Sequence, residues 1–511
     1  MAQATVAQAP AVGASDPTGL ARRSTLGPSL PDLCCAMAGI STYAAVPPGP
    51  GGLRNKARGG RSFAAAGESP EPPLYSTSLV QTKREALRVK HGNAVSGRSP
   101  SDLLGAASPS GLRTPRAAPP GNLAGLVRLF WDPISLLLVA WPLGCLAHFH
   151  DWGDIPEFWL NFLAMVPLAK ILGDATEELA AGLKNDTLGG LLNATFGNAV
   201  EMILTVQTLR AGQIGVVKGT LLGSILSNLL LVLGMSFFVG GLTPSKGSRI
   251  GKEQTFSTQA ALTNVTMLLL ACSAFAFPAV FFSQDEIGRE YMESQMSELG
   301  TFAGGSTPRL LQISRWCSVY ILAAYVAFLV FQLYTHADVF RGGSGDDEEE
   351  EEAQLSPAVA VALLFVTTCL VAASSEFLVD SIDGLVDSWG LGKGFIGVIL
   401  LPIVGNACEH AGAVRMAVYD KMDITIGIAV GSSTQIALFV VPFAVIVGWA
   451  IDQPMDLDLG ALHTTIMMMA VLITFSVVSD GTTNWLEGFM LMIAYLVVAT
   501  LFWFLPENNE A

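Results

Sequence analysis

Two five-residue cassettes carry the chemistry of this chain: Gly197-Asn198-Ala199-Val200-Glu201 and, 208 residues later, Gly405-Asn406-Ala407-Cys408-Glu409. Each lies inside a long apolar stretch, and an ionisable side chain near the centre of a bilayer costs roughly 2.5 to 3.5 kcal/mol or more. A costly carboxylate that occurs twice points to function, because a duplicated buried acid is what the ion site of a secondary transporter looks like. Within each cassette the amide and the acid are spaced i, i+3, which puts Asn198 with Glu201, and Asn406 with Glu409, on one helix face. Gly197 and Gly405 precede them, where a bare backbone permits close helix approach or a local break that exposes carbonyl oxygens.

The same offset keeps returning matches: Gly219 with Gly427, Gly223 with Gly431, Ser224 with Ser432, and Ser227 with Gln435, polar for polar. Ser224 and Ser227 share a helix face, as do Ser432 and Gln435. Converging from both halves, these groups offer two carboxylates plus neutral oxygens, a hard all-oxygen set that suits Ca²⁺ or Mn²⁺. No histidine or cysteine cluster supplies the softer ligands that favour Zn²⁺ or Cu⁺. Burial favours a protonated acid and a bound divalent cation favours the carboxylate, so metal and protons compete for one site. That competition is antiport by mutual exclusion, with Glu201 and Glu409 as the coupling groups. A purely structural role for the two acids is weakened by the lack of a basic residue in either helix core.

The elements that must position these groups are membrane helices. Hydrophobic residues make up 51% of the 511, charged residues only 14%, and the mean hydropathy is +0.49, which excludes an ordinary soluble chain. The spacing of apolar windows predicts an all-α polytopic membrane protein with eleven spans, near 133–149, 157–181, 189–210, 214–240, 255–282, 310–335, 357–379, 394–418, 424–449, 460–479 and 485–505. The cassettes fall in the third and eighth spans. Five helices separate them, so the two halves have opposite orientations: one lead helix and two inverted-topology five-helix repeats. The expected organisation is a tail over 1–124, the lead helix over 125–155, a first bundle over 156–335, an acidic linker over 336–356, a second bundle over 357–506 and a short C-terminal tail over 507–511.

The net charge of −15 averages two unlike parts. Residues 1–128 hold 14 Lys/Arg against 6 Asp/Glu, which leaves 14 against 37 of the chain's 28 and 43. The tail is rich in Ala, Pro, Gly and Ser and reads as disordered, with a regulatory arm or an organelle transit peptide as its functional readings. A basic tail, together with Lys184, Lys246, Arg249, Lys252, Arg415 and Lys421 in loops of one side, argues for a cytoplasmic N-terminus and, with eleven spans, a C-terminus on the far side. The seven cysteines are scattered, without a CxxC pair, and read as reduced and structural.

Taken together, GNAVE followed by GSILSN, and GNACEH followed by GSSTQ, resemble the two signature repeats of the Ca²⁺/H⁺ exchangers (cation/proton exchangers) of the cation/Ca²⁺ exchanger superfamily. The resemblance covers roughly residues 125–506. It implies the eleven-helix fold, Glu201 and Glu409 as central cation- and proton-binding acids, and Asn198, Asn406, Ser224, Ser227, Ser432 and Gln435 as neighbouring polar positions. The unbroken acidic run Asp346, Asp347, Glu348, Glu349, Glu350, Glu351 and Glu352 matches the family's acidic helix between the halves. That match lifts a Ca²⁺-collecting or gating role above a merely solvated linker. The implied function is exchange of cytosolic Ca²⁺, or Mn²⁺, for lumenal protons in a vacuole or another acidic endomembrane, without an enzymatic step or a resident cofactor. The implied partners are the two ions and the lipid bilayer, not nucleic acid, and homo-oligomer formation stays open.

Three further features carry expectations. Glu177 and Glu376, near the ends of the second and seventh spans, are a looser echo of the repeat and read as access-path or proton-relay acids. His410, beside Glu409, divides between a supporting role and helix packing. A Na⁺-coupled Ca²⁺ exchanger is the main alternative, since carboxylates and hydroxyls also bind Na⁺. A divalent-cation channel and an intramembrane enzyme stand further back, the latter for want of a nucleophile and base.

Overall fold

Apolar runs that must satisfy their own backbone in hydrocarbon can do so only as helices or closed barrels, and a computed structural model of the chain is helical through most of its described residues. The structure describes residues 121–183, 185–244, 251–284, 308–340 and 353–505. Most of the basic tail, the acidic run Asp346–Glu352 and the C-terminal residues 506–511 lie outside the described residues.

In chain order the helices of more than one turn are α1 (Asn122–Phe130), α2 (Pro133–Phe149), α3 (Asp154–Gly182), α4 (Asp186–Phe196), α5 (Ala199–Arg210), α6 (Ile214–Leu242), α7 (Thr258–Gln284), α8 (Pro308–Thr335), α9 (Pro357–Trp389), α10 (Lys393–Gly405), α11 (Ala407–Val418), α12 (Met422–Ala450), α13 (Ala461–Val478) and α14 (Trp485–Phe504), with a single turn at Ala337–Phe340 after α8. Among the described residues, eight helices are long and apolar enough to cross a membrane, or ten if each of two bent pairs counts as one span: α1 with α2 at 82°, and α10 with α11 at 57°. The expected third span, 189–210, is not among them. It is carried by two short helices, α4 and α5, that flank Gly197-Asn198. The count of eleven therefore does not follow from length and apolarity alone, because the function-bearing segment is interrupted where a continuous helix would hide its polar groups.

The internal repeat is visible in the backbone. Helices α6 and α12 start 208 residues apart and end 208 residues apart. Each contains a π-helical stretch at a corresponding place, Ser227–Val232 and Ile436–Val440. The turns that lead into them also match: Gly212 and its repeat mate Asp420 both adopt left-handed backbone, with φ of 73° and 65°. Serine and proline start α9, with extended Ser356 before Pro357 at the first helical position. A capping box closes the start of α14, where Asn484 and Glu487 satisfy each other's backbone N–H groups.

Two apolar cores result. One is built on α3, α9 and α10 with parts of α4 and α5; the other gathers α6, α7, α8, α12, α13 and α14. The most extensive helix–helix contact is α3 against α9. Small ties fix the loops at one end. Gln254 and Thr255 pair antiparallel with Thr483 and Thr482. Gln254 Nε2 donates to Ala417 O at 2.9 Å and Asp420 Oδ1 at 2.7 Å, and the Ser257 N–H donates to Asp423 Oδ1 at 2.6 Å. At the start of α9, Glu178 Oε2 accepts the N–H groups of Gln354 and Leu355 at 2.7 and 3.0 Å.

Candidate functional site

Both cassettes break their helix at the same residue. Asn198 and Asn406 stand at the N-caps of α5 and α11, and Glu201 and Glu409 lie in the first turns. Negative charge is favoured there, because the unpaired N–H groups and the aligned peptide dipoles at a helix start are positive. Of the two roles open to the cassette glycines, the break is realised in both halves, and close approach adds to it at Gly405. A Cβ on Gly405 would stand 3.0 Å from Glu201 Oε1, so the first half's carboxylate rests on the second half's bare backbone.

Neither asparagine side chain caps its own helix, although an N-cap asparagine ordinarily contributes about 1 kcal/mol that way. Both reach across instead. Asn198 Nδ2 donates to Gln435 Oε1 at 2.8 Å, and Asn198 Oδ1 accepts from Ser432 Oγ at 3.0 Å. Asn406 Nδ2 donates to Ser224 O at 3.1 Å. The structure thus brings Asn198, Ser432 and Gln435 into one network, and Asn406 with Ser224 into another, each joining the two halves. Asn228 extends the first by donating from Nδ2 to Ser432 Oγ at 3.2 Å. Sequence reasoning passed over Asn228 because its repeat mate is Ile436; its place one residue after Ser227 was the only signal.

Between these networks several buried oxygens have no hydrogen-bond partner: Glu201 Oε1, Glu409 Oε2, Ser224 Oγ, Asn228 Oδ1 and Asn406 Oδ1; the fully buried Ser227 lies instead beside the Tyr495 hydroxyl. Glu201 is 2% exposed, Asn406 and Ser224 fully buried, and Glu201 lies within electrostatic reach of Glu409. Leaving one such group unsatisfied costs about 1–3 kcal/mol. Five such oxygens on residues joined by these networks make sense when a cation or protons complete them. No three His, Cys, Asp or Glu side chains converge among the described residues, so a cation here would be held by the two carboxylates with amide and hydroxyl oxygens.

A cavity of about 1010 Å³ leads to this cluster, with Asn198, Gly405, Cys408, Glu409, Ser432 and Gln435 at its deep end and Thr255–Ser257, Phe340 and Asp420–Asp423 at its mouth. Glu177 lines it, while Glu376 does not; the Phe377 ring beside Glu376 stacks on His148. Helix α6 packs closely against α10. A Cβ on Gly219 would stand 3.5 Å from Gly397 Cα, and one on Gly223 would overlap Val398 O. Their repeat mates Gly427 and Gly431 meet nothing within 4 Å.

Two placements were not foreseen. Lys170, near the middle of α3, binds Asp174 at 2.6 Å and Asp132 at 3.5 Å, so this lysine is already paired with other acids. His410 donates from Nδ1 to Asn406 O at 2.6 Å, within its own helix, and leaves a buried Nε2 without a partner.

Comparison with known proteins identifies the family. The chain is 37% identical over 447 residues to the vacuolar cation/proton exchanger 3 of Arabidopsis thaliana, covering 84% of this chain and 92% of that protein. It is 42% identical over 387 residues to the Ca²⁺/H⁺ antiporter of a Synechocystis strain, covering 73% and 97%. The solved structure of native YfkE is similar over 73% of this chain and its own whole length, with 35% identity and a TM-score of 0.59. The model of the sodium/calcium exchanger protein family matches residues 157–334 and 359–504. The chain is an integral membrane protein of the sodium/calcium exchanger protein family.

Proposed function

We propose that the chain is a secondary active antiporter that exchanges Ca²⁺ for protons at one site shared by Glu201 and Glu409. The observation that carries this reading is the set of unpartnered buried oxygens around two carboxylates at opposed helix starts. Relatives named as cation/proton exchangers and as a Ca²⁺/H⁺ antiporter support it. A cation arriving through the cavity meets Glu409, Asn198, Ser432 and Gln435 first, and reaches Glu201 behind them. Glu201 Oε1, Glu409 Oε2 and the Asn406, Asn228 and Ser224 oxygens then replace its water. Protons bound to the same carboxylates exclude the metal, and the metal excludes protons, so neither leaves without the other side's occupant taking its place.

The cavity mouth carries Lys421, with Lys252 paired to Asp420 at 3.3 Å. Basic loops favour the cytoplasmic side, so the shape is read as open to the cytosol with release into an acidic lumen, as in a vacuole. Glu177 serves the entry path. Glu376, outside the cavity, serves the exit path of the inverted half. The flanks of the acidic run fit a cation-collecting role at this mouth, since Phe340 lines the cavity and Gln354 is fastened to Glu178.

Reconstitution tests the proposal. Purified protein in liposomes should take up Ca²⁺ when a pH gradient is imposed and release protons in return. Uptake driven by a Na⁺ gradient and indifferent to pH would replace this reading with Na⁺ coupling.

A further inference from the structure

Helix α1 is bent by 82° from α2, and the two reach the length and apolarity of a membrane span only together. At 100° per residue the side chains of α1 divide into three sectors. Leu126 and Leu129 pack on the α3/α9 core, Gly125 lies against Leu355, and Asn122 Oδ1 accepts the Ser356 N–H at 2.8 Å. Leu123, Val127, Phe130 and the capping residue Trp131 form a second sector that is apolar and exposed, Leu123 at 76% and Trp131 at 86%. Ala124 and Arg128, both exposed, make the third. Protein on one side, apolar on the next and basic on the last is the pattern of a helix lying in the plane of a membrane surface.

We propose that α1 is an in-plane lipid-binding helix that couples the bilayer surface to the start of the second repeat. Its occupant is membrane lipid, for a reason of continuity. The exposed apolar sector runs directly into the exposed Leu136, Val139 and Leu143 of α2, the part of the bent pair that enters the bilayer on this proposal, so the same hydrocarbon that covers α2 covers α1 at its edge. Trp131 then lies at the boundary, where amphipathic rings collect, and Arg128 turns to the phosphates. The coupling runs through the protein-facing sector. Asn122 and Gly125 hold residues 355–356 against α3, where Glu178 already binds the Gln354 and Leu355 N–H groups. Lipid that seats α1 therefore also fixes the point where the chain enters α9.

The test uses the full chain in lipid nanodiscs, with a photo-reactive benzoylphenylalanine at position 127. Illumination should yield adducts of that peptide with phospholipid acyl chains, read by mass spectrometry. Adducts with the N-terminal tail or with a second copy of the chain, or none, overturn the proposal. Coupling is read separately with the double variant Leu123→Asp, Val127→Asp, whose changed side chains are exposed and spare the core. Amide exchange at Ser356 should quicken about fivefold, the equivalent of losing one hydrogen bond of about 1 kcal/mol. Unchanged exchange at Ser356 despite lipid adducts in the parent refutes the coupling.

Discussion

Replacing Gly431 by alanine tests whether the two halves exchange conformations. In this structure the new methyl group meets nothing within 4 Å, and alanine in a helix interior is favoured over glycine by about 0.8–1 kcal/mol. Stability of the cavity-open form should therefore hold or rise slightly. The repeat mate Gly223 is different: a Cβ there would overlap the Val398 carbonyl and stand 2.5 Å from Pro402 Cγ. If transport requires α12 to close on α4 as α6 now closes on α10, the residues 208 positions before Val398 and Pro402 are Gly190 and Ala194. Ala194 lacks the proline ring, but the Gly190 carbonyl would still be overrun. Overpacking of this kind costs about 1–3 kcal/mol, which lowers the population of the closed state about 5- to 150-fold. Proton-driven Ca²⁺ uptake in liposomes should fall within that range while the melting temperature is kept. Gly215→Ala, also in open space but with Asp423 as its repeat mate, should transport normally. Wild-type turnover by Gly431→Ala would refute the idea that the closely packed and open sides trade places.

Three further outcomes follow from the site. Glu201→Gln and Glu409→Gln should each reduce exchange at least a hundredfold while leaving insertion and melting temperature intact, because the amide keeps the shape but cannot trade a metal for a proton; wild-type exchange would make the acids structural. Gly405→Ala should push the Glu201 carboxylate back by a few tenths of an ångström, more than a coordination shell tolerates, and raise the half-saturating Ca²⁺ concentration about 5- to 30-fold for about 1–2 kcal/mol, seen in concentration series of uptake. Acidifying the loading side should raise that same concentration, since protons and Ca²⁺ occupy the same carboxylates, whereas acidifying the opposite compartment should speed uptake; a response of equal sign on both sides would contradict mutual exclusion.

The cassettes and their offset of 208 residues are legible in the sequence because a buried acid is rare and a duplicated one rarer, and the matching bounds of α6 and α12 follow from that repeat. What could not be read is how the polar groups pair. Asn198 finds Gln435 across 237 residues, and no local periodicity encodes such a meeting. Nor does hydropathy distinguish a helix from two half-helices, so the break at Asn198 surfaced only as an option raised by Gly197. Asn228 and Lys170 were invisible for a related reason: each is polar in one half and replaced by an apolar residue or left unmatched in the other, so the symmetry that exposed the site also hid its exceptions.

The short strand pairing of Gln254-Thr255 with Thr482-Thr483 has a mechanical consequence. Together with the bonds from Gln254 and Ser257 to Asp420 and Asp423, it welds the leading ends of α7, α12 and α14 into one plate along the cavity mouth. On the facing wall, Glu178, Asn122 and the Lys170–Asp132 pair bind α1, α2, α3 and the entry to α9 into another. Helix α4 rides on the second plate, with Gly189 against Ala180, and among the described residues no strap of this kind crosses from Gly190 to Gly427. The seam along which the molecule can open and shut thus runs between two plates that are each tied within themselves.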